Sequence, residues 1–358
     1  MGAIERRYRT LVYLTWFLTL DLIMFGAFVR LSDSGLGCPD WPGCYGSISP
    51  FGASQAIHNA YLEMPYGPVS WVKAWIEMVH RYVGASLGLL IIAIAWMAWR
   101  HKKALRQSAT LATLTLFTVC LQGALGAWTV THKLMPIVVT THLLGGISVL
   151  ALMTCLATRA SPYPTPTAAS KAMRPWLIVA LGLLIIQIAL GGWVSSNYAA
   201  LACLDFPTCH GKWIPEMDFQ QGYTFLRPLG LQASGEPLPQ NALTAIHWVH
   251  RNTAWLVFLL LGVSAYRLLP DPALRRYAAL VLGLLCAQLI TGLSTIFFRW
   301  PLFIAVLHNG GAAALVLSCV TILIRLSYPP LFLQGKRYDE SVSHPSLHSA
   351  PIPGTDQT

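Results

Sequence analysis

Charged side chains are scarce in this 358-residue chain: Asp, Glu, Lys and Arg together make up 11% of it, against 55% hydrophobic residues. With a mean hydropathy of +0.54, it has too few charges to cover the surface of two or three soluble domains, so a soluble fold is excluded and an all-α membrane protein is implied. Acidic residues are the scarcer sign, 14 against 24 basic, which leaves a net charge of +10. In a membrane chain that excess is a topology signal before it is a hint of nucleic acid, and no nucleic-acid partner is expected. A small-residue cleavage site is also missing: the apolar run behind Arg6, Arg7 and Arg9 continues to about Val29. That run is therefore expected to stay as a span rather than leave as a signal peptide.

A hydrocarbon core about 30 Å thick needs roughly 20 apolar residues per helix. Eight stretches qualify, near 11–30, 76–99, 108–130, 136–158, 175–196, 243–266, 277–298 and 302–324. Some carry no charge at all, such as Trp176 to Ser195 and Tyr277 to Phe298. Sixteen of the 24 basic residues fall in alternate loops and at the two ends, including Arg100, Lys102, Lys103, Arg159, Lys171, Arg267 and Arg325. The positive-inside rule then puts both termini in the cytoplasm and turns the long loops 31–75 and 197–242 outward, while the spans are expected to face membrane lipid. The Ser-, Pro- and His-rich tail 338–358 is predicted to be a disordered cytoplasmic extension.

The chain repeats itself. Gly26 to Gly46 aligns without a gap to Gly191 to Gly211, matching Cys38, Asp40, Pro42 and Cys44 with Cys203, Asp205, Pro207 and Cys209. Gln122, Gly126 and His142 recur as Gln288, Gly292 and His308, and the Glu77 to Arg81 stretch, with its His80-Arg81 step, as His247 to Arg251, with His250-Arg251. Two tandem four-helix halves, 1–160 and 175–330, joined by a Pro/Thr/Ala/Ser-rich loop, are the simplest reading, and the repeat is parallel because both halves start inside.

Ionisable side chains at membrane depth are costly, which makes intramembrane histidines functional candidates. His80, His142, His250 and His308 each fall about five residues into a predicted span that enters from outside, so all four are expected near one depth. Two histidines on two helices of each bundle can approach a flat macrocycle from both sides, the layout of bis-histidine haem ligation. The alternatives are hydrogen bonds across helices or zinc, for which no further ligands accompany each pair. Gly84, Gly145-Gly146 and Gly310-Gly311 would clear room for a macrocycle, or simply serve helix packing. Glu77 shares the face of His80, where it can exchange protons near a bound group or pair with Arg81. Its counterpart His247 is a competing ligand to His250. Cys38/Cys44 and Cys203/Cys209 lie in the outward loops, where an oxidising compartment allows two disulfides; free thiols or a four-thiolate metal site are the alternatives. An exposed, strained bridge would be the more reducible kind. Cys120, Cys155, Cys286 and Cys319 are expected to be small packing residues.

Arg30-Leu-Ser-Asp-Ser-Gly-Leu-Gly-Cys38-Pro-Asp-Trp-Pro-Gly-Cys44, Glu77-x-x-His80-Arg81, Thr141-His142, His250-Arg251 and His308-Asn309 together resemble the haem A synthases, over about residues 10–325. That resemblance implies an eight-helix enzyme of the bacterial inner membrane, an oxidoreductase that converts the C8 methyl of haem O to the formyl of haem A for haem-copper terminal oxidases. It implies that His80 and His142 hold the substrate haem O, that His250 and His308 ligate a haem b, and that Glu77 assists the oxidation. It further implies hand-over from a haem O synthase, an electron partner the chain does not name, and room for a homo-oligomer. Cys203/Cys209 departs from the simplest family pattern, since only some members resemble it there. Converting a methyl to an aldehyde is a four-electron oxidation, for which a second haem is a fitting relay. Two other classes compete: a di-haem b electron-transfer subunit, which leaves Glu77 and the Cys loops unexplained, and a duplicated transporter, which would show broken half-helices.

Overall fold

The computed structural model describes residues 2–105 and 109–328; the predicted tail 338–358 lies outside the described residues. Eight long helices account for the expected spans: α1 (Ala3–Leu31), α2 (Trp71–Arg100), α3 (Ala109–Thr131), α4 (Pro136–Arg159), α5 (Arg174–Ser196), α6 (Gln240–Leu268), α7 (Arg275–Phe297) and α8 (Leu302–Ser327). No named strand occurs among the described residues, only three isolated bridges in the two long loops. Each long helix runs unbroken between its bounds.

Seven of the eight are long and apolar enough to cross a membrane, so the chain is a multi-pass membrane protein. The exception is α6, which equals α1 in length but opens with Gln240, Asn241, His247, His250, Arg251 and Asn252. These polar side chains lower the hydropathy of its first half. Inside the helices, hydroxyls turn back onto their own backbone: Thr15, Thr19, Thr115, Thr154 and Thr321 each donate to the carbonyl four residues earlier. This satisfies the hydroxyl without water, as an apolar surrounding requires.

Helix starts follow local chemistry rather than the apolar run alone. The expected starts at 76 and 243 move to Trp71 and Gln240. Ser70 caps α2 by accepting from the Lys73 amide at 3.2 Å, and Pro239 precedes α6, where its fixed φ suits a helix entry. His80 and His250 are therefore the tenth and eleventh residues of their helices, while His142 and His308 are each the seventh of theirs. The hairpins before α4 and α8 match: Lys133-Leu134 and Arg299-Trp300 both take positive φ, and the Leu134 and Trp300 amides donate to Thr129 and Thr295 at 2.7 and 2.8 Å.

Packing follows a closed path in each half of the chain: α1 meets α2 and α4, α2 meets α3, and α3 meets α4, while α5 meets α6 and α8, α6 meets α7, and α7 meets α8. The halves join through α1 against α8, α4 against α5 and α4 against α8. One core, including Tyr8, Val12, Ile91, Ile94 and Met153, fills the first set; a larger one, including Leu150, Leu177, Leu261, Val281 and Val316, fills the second and the seam. At the long-loop end, Arg30 reaches across the seam to donate to the Ser195 carbonyl at 2.7 Å, and Tyr198 donates to Asp33 at 2.8 Å.

Candidate functional site

Four imidazoles each lie against a glycine of the neighbouring helix. A Cβ at Gly26 would stand 2.9 Å from His80 Nε2; at Gly126, 3.2 Å from His142 Cε1; at Gly191, 3.0 Å from His250 Cε1; and at Gly292, 3.3 Å from His308 Cε1. Any larger residue would push the ring, so α1, α3, α5 and α7 each supply a gap that an imidazole fills. The glycines expected to clear space do something else. Gly145 and Gly146 face the Gln122 side chain, Gly311 faces Gln288, Gly310 faces Met24, and Gly84 has only Leu22 at 4.0 Å. Gly145, Gly146 and Gly311 thus serve helix packing, the other reading of these glycines, by admitting the amides that hold the histidine backbone. Gln122 and Gln288 donate to the His142 and His308 carbonyls, both at 2.9 Å.

His80 and His142 lie on α2 and α4 of the first half, and His250 and His308 on α6 and α8 of the second. Around the rings the two pairs differ. In the second, His308 Nδ1 is 2.9 Å from the Thr291 hydroxyl and His250 Nδ1 is 3.1 Å from the Gln187 amide nitrogen, which also donates to the His250 carbonyl. In the first, the repeat puts Leu125 and Leu22 at the matching positions, and His142 Nδ1 is buried without a partner.

Above the histidines the two loops are built alike. Both predicted disulfides are present, Cys38–Cys44 and Cys203–Cys209. All four sulfurs belong to buried residues, so neither bridge is of the exposed kind. Asp40 accepts from the Tyr45 and Gly46 amides, and Asp205 from the His210 and Gly211 amides and the Thr208 hydroxyl. The Thr208 bond and then the two amides hold the Asp205 carboxyl down at about 2. Gly46 and Gly211 both take φ of +72°, where a side chain would be strained.

Arg81 and Arg251 clamp these loops. Arg81 donates to the carbonyls of Asp40, Pro42 and Gly43, and Arg251 to those of Asp205, Pro207 and Thr208. Glu77, 4% exposed, has both oxygens engaged: Oε1 pairs with Arg81, and Oε2 accepts from the Cys38 amide at 2.9 Å. His247 Nδ1 takes the equivalent bond from the Cys203 amide at 3.3 Å. One ring nitrogen of His247 thus serves the loop. Arg251, Gln187, Thr291 and the four ring-facing glycines were not assigned roles from sequence, and Arg81 only a pairing with Glu77. The signal for most was there, in the repeated His-Arg step and in Gly26 and Gly191 at the head of the ungapped alignment.

The free cysteines split differently from the expectation. Cys319 is buried and Cys155 partly so, but Cys120 and Cys286 are exposed on the outer faces of α3 and α7, so the latter two are not packing residues. No group of three or more His, Cys, Asp or Glu side chains that could hold a bare metal ion occurs among the described residues. A haem suits this donor set: two pairs of imidazoles, one pair in each four-helix half, with polar partners around the rings of the second pair.

A family model described as Cytochrome oxidase assembly protein (COX15-CtaA) matches residues 9–320. A Heme A synthase of Shewanella oneidensis is 42% identical over 320 residues, 86% of this chain and 95% of that protein. One of Halalkalibacterium halodurans is 28% identical, covering 80% and 86%, and one of Neorickettsia sennetsu is 26% identical, covering 88% and 98%.

Proposed function

The chain belongs to the COX15-CtaA family of cytochrome oxidase assembly proteins, and from that premise we propose that it is a haem A synthase. It is then an oxidoreductase of a bacterial inner membrane, with both termini cytoplasmic, that turns the C8 methyl of haem O into a formyl group. The observation that carries the reading is the set of four glycine-seated histidines in two matched pairs, in a chain 42% identical to a Heme A synthase.

In this reading residues 1–160 and 175–330 are two haem-binding halves. His80 and His142 hold the substrate haem O, which a haem O synthase hands over. His250 and His308 hold haem b, which when bound supplies the redox relay that a four-electron oxidation needs. Glu77 is the catalytic carboxylate. Removing hydrogens from a methyl carbon releases protons, and a carboxylate fixed by Arg81 and the Cys38 amide stands one turn from His80 to take them. The second half has no carboxylate there, because His247 fills the place; this difference supports putting the oxidation in the first half. The buried disulfides fasten the loops that carry the two amides.

Pigments extracted from the purified protein test the proposal. Haem A or hydroxylated haem O beside haem b is the expected result. Haem b alone, in cells that make haem O, would make the chain an electron-transfer subunit instead.

A further inference from the structure

The Thr291 hydroxyl bridges the His308 ring and its own helix backbone. It is 2.7 Å from the Ala287 carbonyl, 3.3 Å from the Gln288 carbonyl and 2.9 Å from His308 Nδ1. With its proton toward the carbonyls, the hydroxyl oxygen accepts from Nδ1–H. That is the tautomer of a neutral His308 that leaves the lone pair on Nε2 free for a metal.

His142 offers the matched comparison. Its carbonyl receives the same glutamine bond, Gln122 at 2.9 Å against Gln288 at 2.9 Å. Its ring sits on the same glycine, with Cβ distances of 3.2 and 3.3 Å at Gly126 and Gly292. Yet the residue matching Thr291 is Leu125, and His142 Nδ1 is buried with no partner. The two environments differ in this one side chain more than in any other feature of the ring's surroundings.

We propose that Thr291 is a positioning residue that makes the second-half site retentive, while Leu125 keeps the first-half site exchangeable. The proposal rests on the haem reading above. A site that keeps its cofactor benefits from an axial imidazole locked in one tautomer and made more basic by an accepted Nδ1–H bond. A site that must discharge a product after each reaction benefits from the lack of that lock.

The test uses the purified full-length protein loaded with its haems, with apomyoglobin as the acceptor of released pigment. Haem b reports the second site, and haem O or A reports the first. Thr291→Val should speed haem b transfer by about tenfold or more, the usual scale for losing an outer-layer partner, and should raise the haem b midpoint potential because ferric iron loses a more basic ligand. Thr291→Ser should restore both. Leu125→Thr should slow release of haem O or A with haem b unaffected. Wild-type haem b transfer and potential in Thr291→Val would overturn the proposal. So would equal loss of both pigments with a lowered melting temperature and an unmoved potential, the mark of a merely structural threonine. Haem b that persists in His308→Ala would overturn the haem reading itself, a separate result.

Discussion

Glu77 and His247 make the same bond with different chemistry: the carboxylate accepts the Cys38 amide at 2.9 Å, and the imidazole accepts the Cys203 amide at 3.3 Å. Each stands three residues before a histidine-arginine step, and each Arg clamps the same disulfide loop that the amide belongs to. The loop support is thus common to both halves, and only the first half keeps a carboxylate at this position beside its histidine. That pairing separates two roles that the spacing alone leaves entangled, loop anchor and proton acceptor.

His247→Ala should keep haem b, because its Nδ1 serves the loop and His250 serves the pair. It leaves the buried Cys203 amide without a partner, a loss on the order of 1–3 kcal/mol, so the melting temperature should fall modestly. His250→Ala and His308→Ala should each abolish haem b absorbance. Equal loss of absorbance from all three variants would show that the ligand is misassigned.

Glycine substitutions distinguish the ring seats from the other small residues. Gly26→Ala puts a methyl 2.9 Å from His80 Nε2, and Gly191→Ala puts one 3.0 Å from His250 Cε1, both inside ordinary contact. The first should lower the content of haem O and A, the second that of haem b. Gly84→Ala meets only Leu22 at 4.0 Å and should leave both unchanged. Haem content per folded protein, read from the pyridine haemochrome spectrum, checks the contrast.

The apolar runs made the spans readable, and the ungapped repeat of Cys38 and Cys44 as Cys203 and Cys209 made both disulfides readable. What sequence could not show was which small or polar residue meets which ring. Gly145 and Gly26 look alike as letters, but one admits a glutamine amide and the other an imidazole, and only the helix pairing of α1 with α2 and of α3 with α4 decides it. The early starts of α2 and α6 were hidden for a similar reason. Trp71 to Trp75 and Gln240 to Ala242 extend the helices past the apolar run to meet the disulfide loops, an interaction between segments far apart in the chain. Cys120 and Cys286 were misread because an apolar span carries no mark of which face looks outward.

The arginine clamps predict how firmly the bridges resist reduction. Arg251 donates to three carbonyls of the Cys203–Cys209 loop, and hydrogen bonds from a charged donor are worth about 1.5–3 kcal/mol each. Arg251→Gln should therefore let dithiothreitol open that bridge about tenfold faster or more, with Cys38–Cys44 unaffected. In intact cells an impermeant maleimide should tag none of these four cysteines until a reductant is added, and then only from the periplasmic side. Tagging without reductant contradicts the bridges, and tagging only in inverted vesicles contradicts the orientation.

Glu77→Gln is the most direct test of the chemistry. The amide oxygen can still accept from the Cys38 amide, so the loop and the His80 helix keep their anchor, while the carboxylate that pairs with Arg81 is gone. Loss of a positioned base typically slows proton transfer by about 10²–10⁴-fold. Extracted pigment should accordingly shift from haem A toward haem O or its alcohol, with haem b and total haem per folded protein close to wild type. Were Glu77 only a strut for Arg81, the variant would instead lose stability and haem together, and each bound haem O would still be converted at the normal rate. Glu77→His, which installs the second-half anchor in the first half, sharpens the distinction, since it restores an acceptor for Cys38 without restoring the carboxylate. Normal haem A output from either variant, measured by chromatography of extracted haems, would end the catalytic assignment.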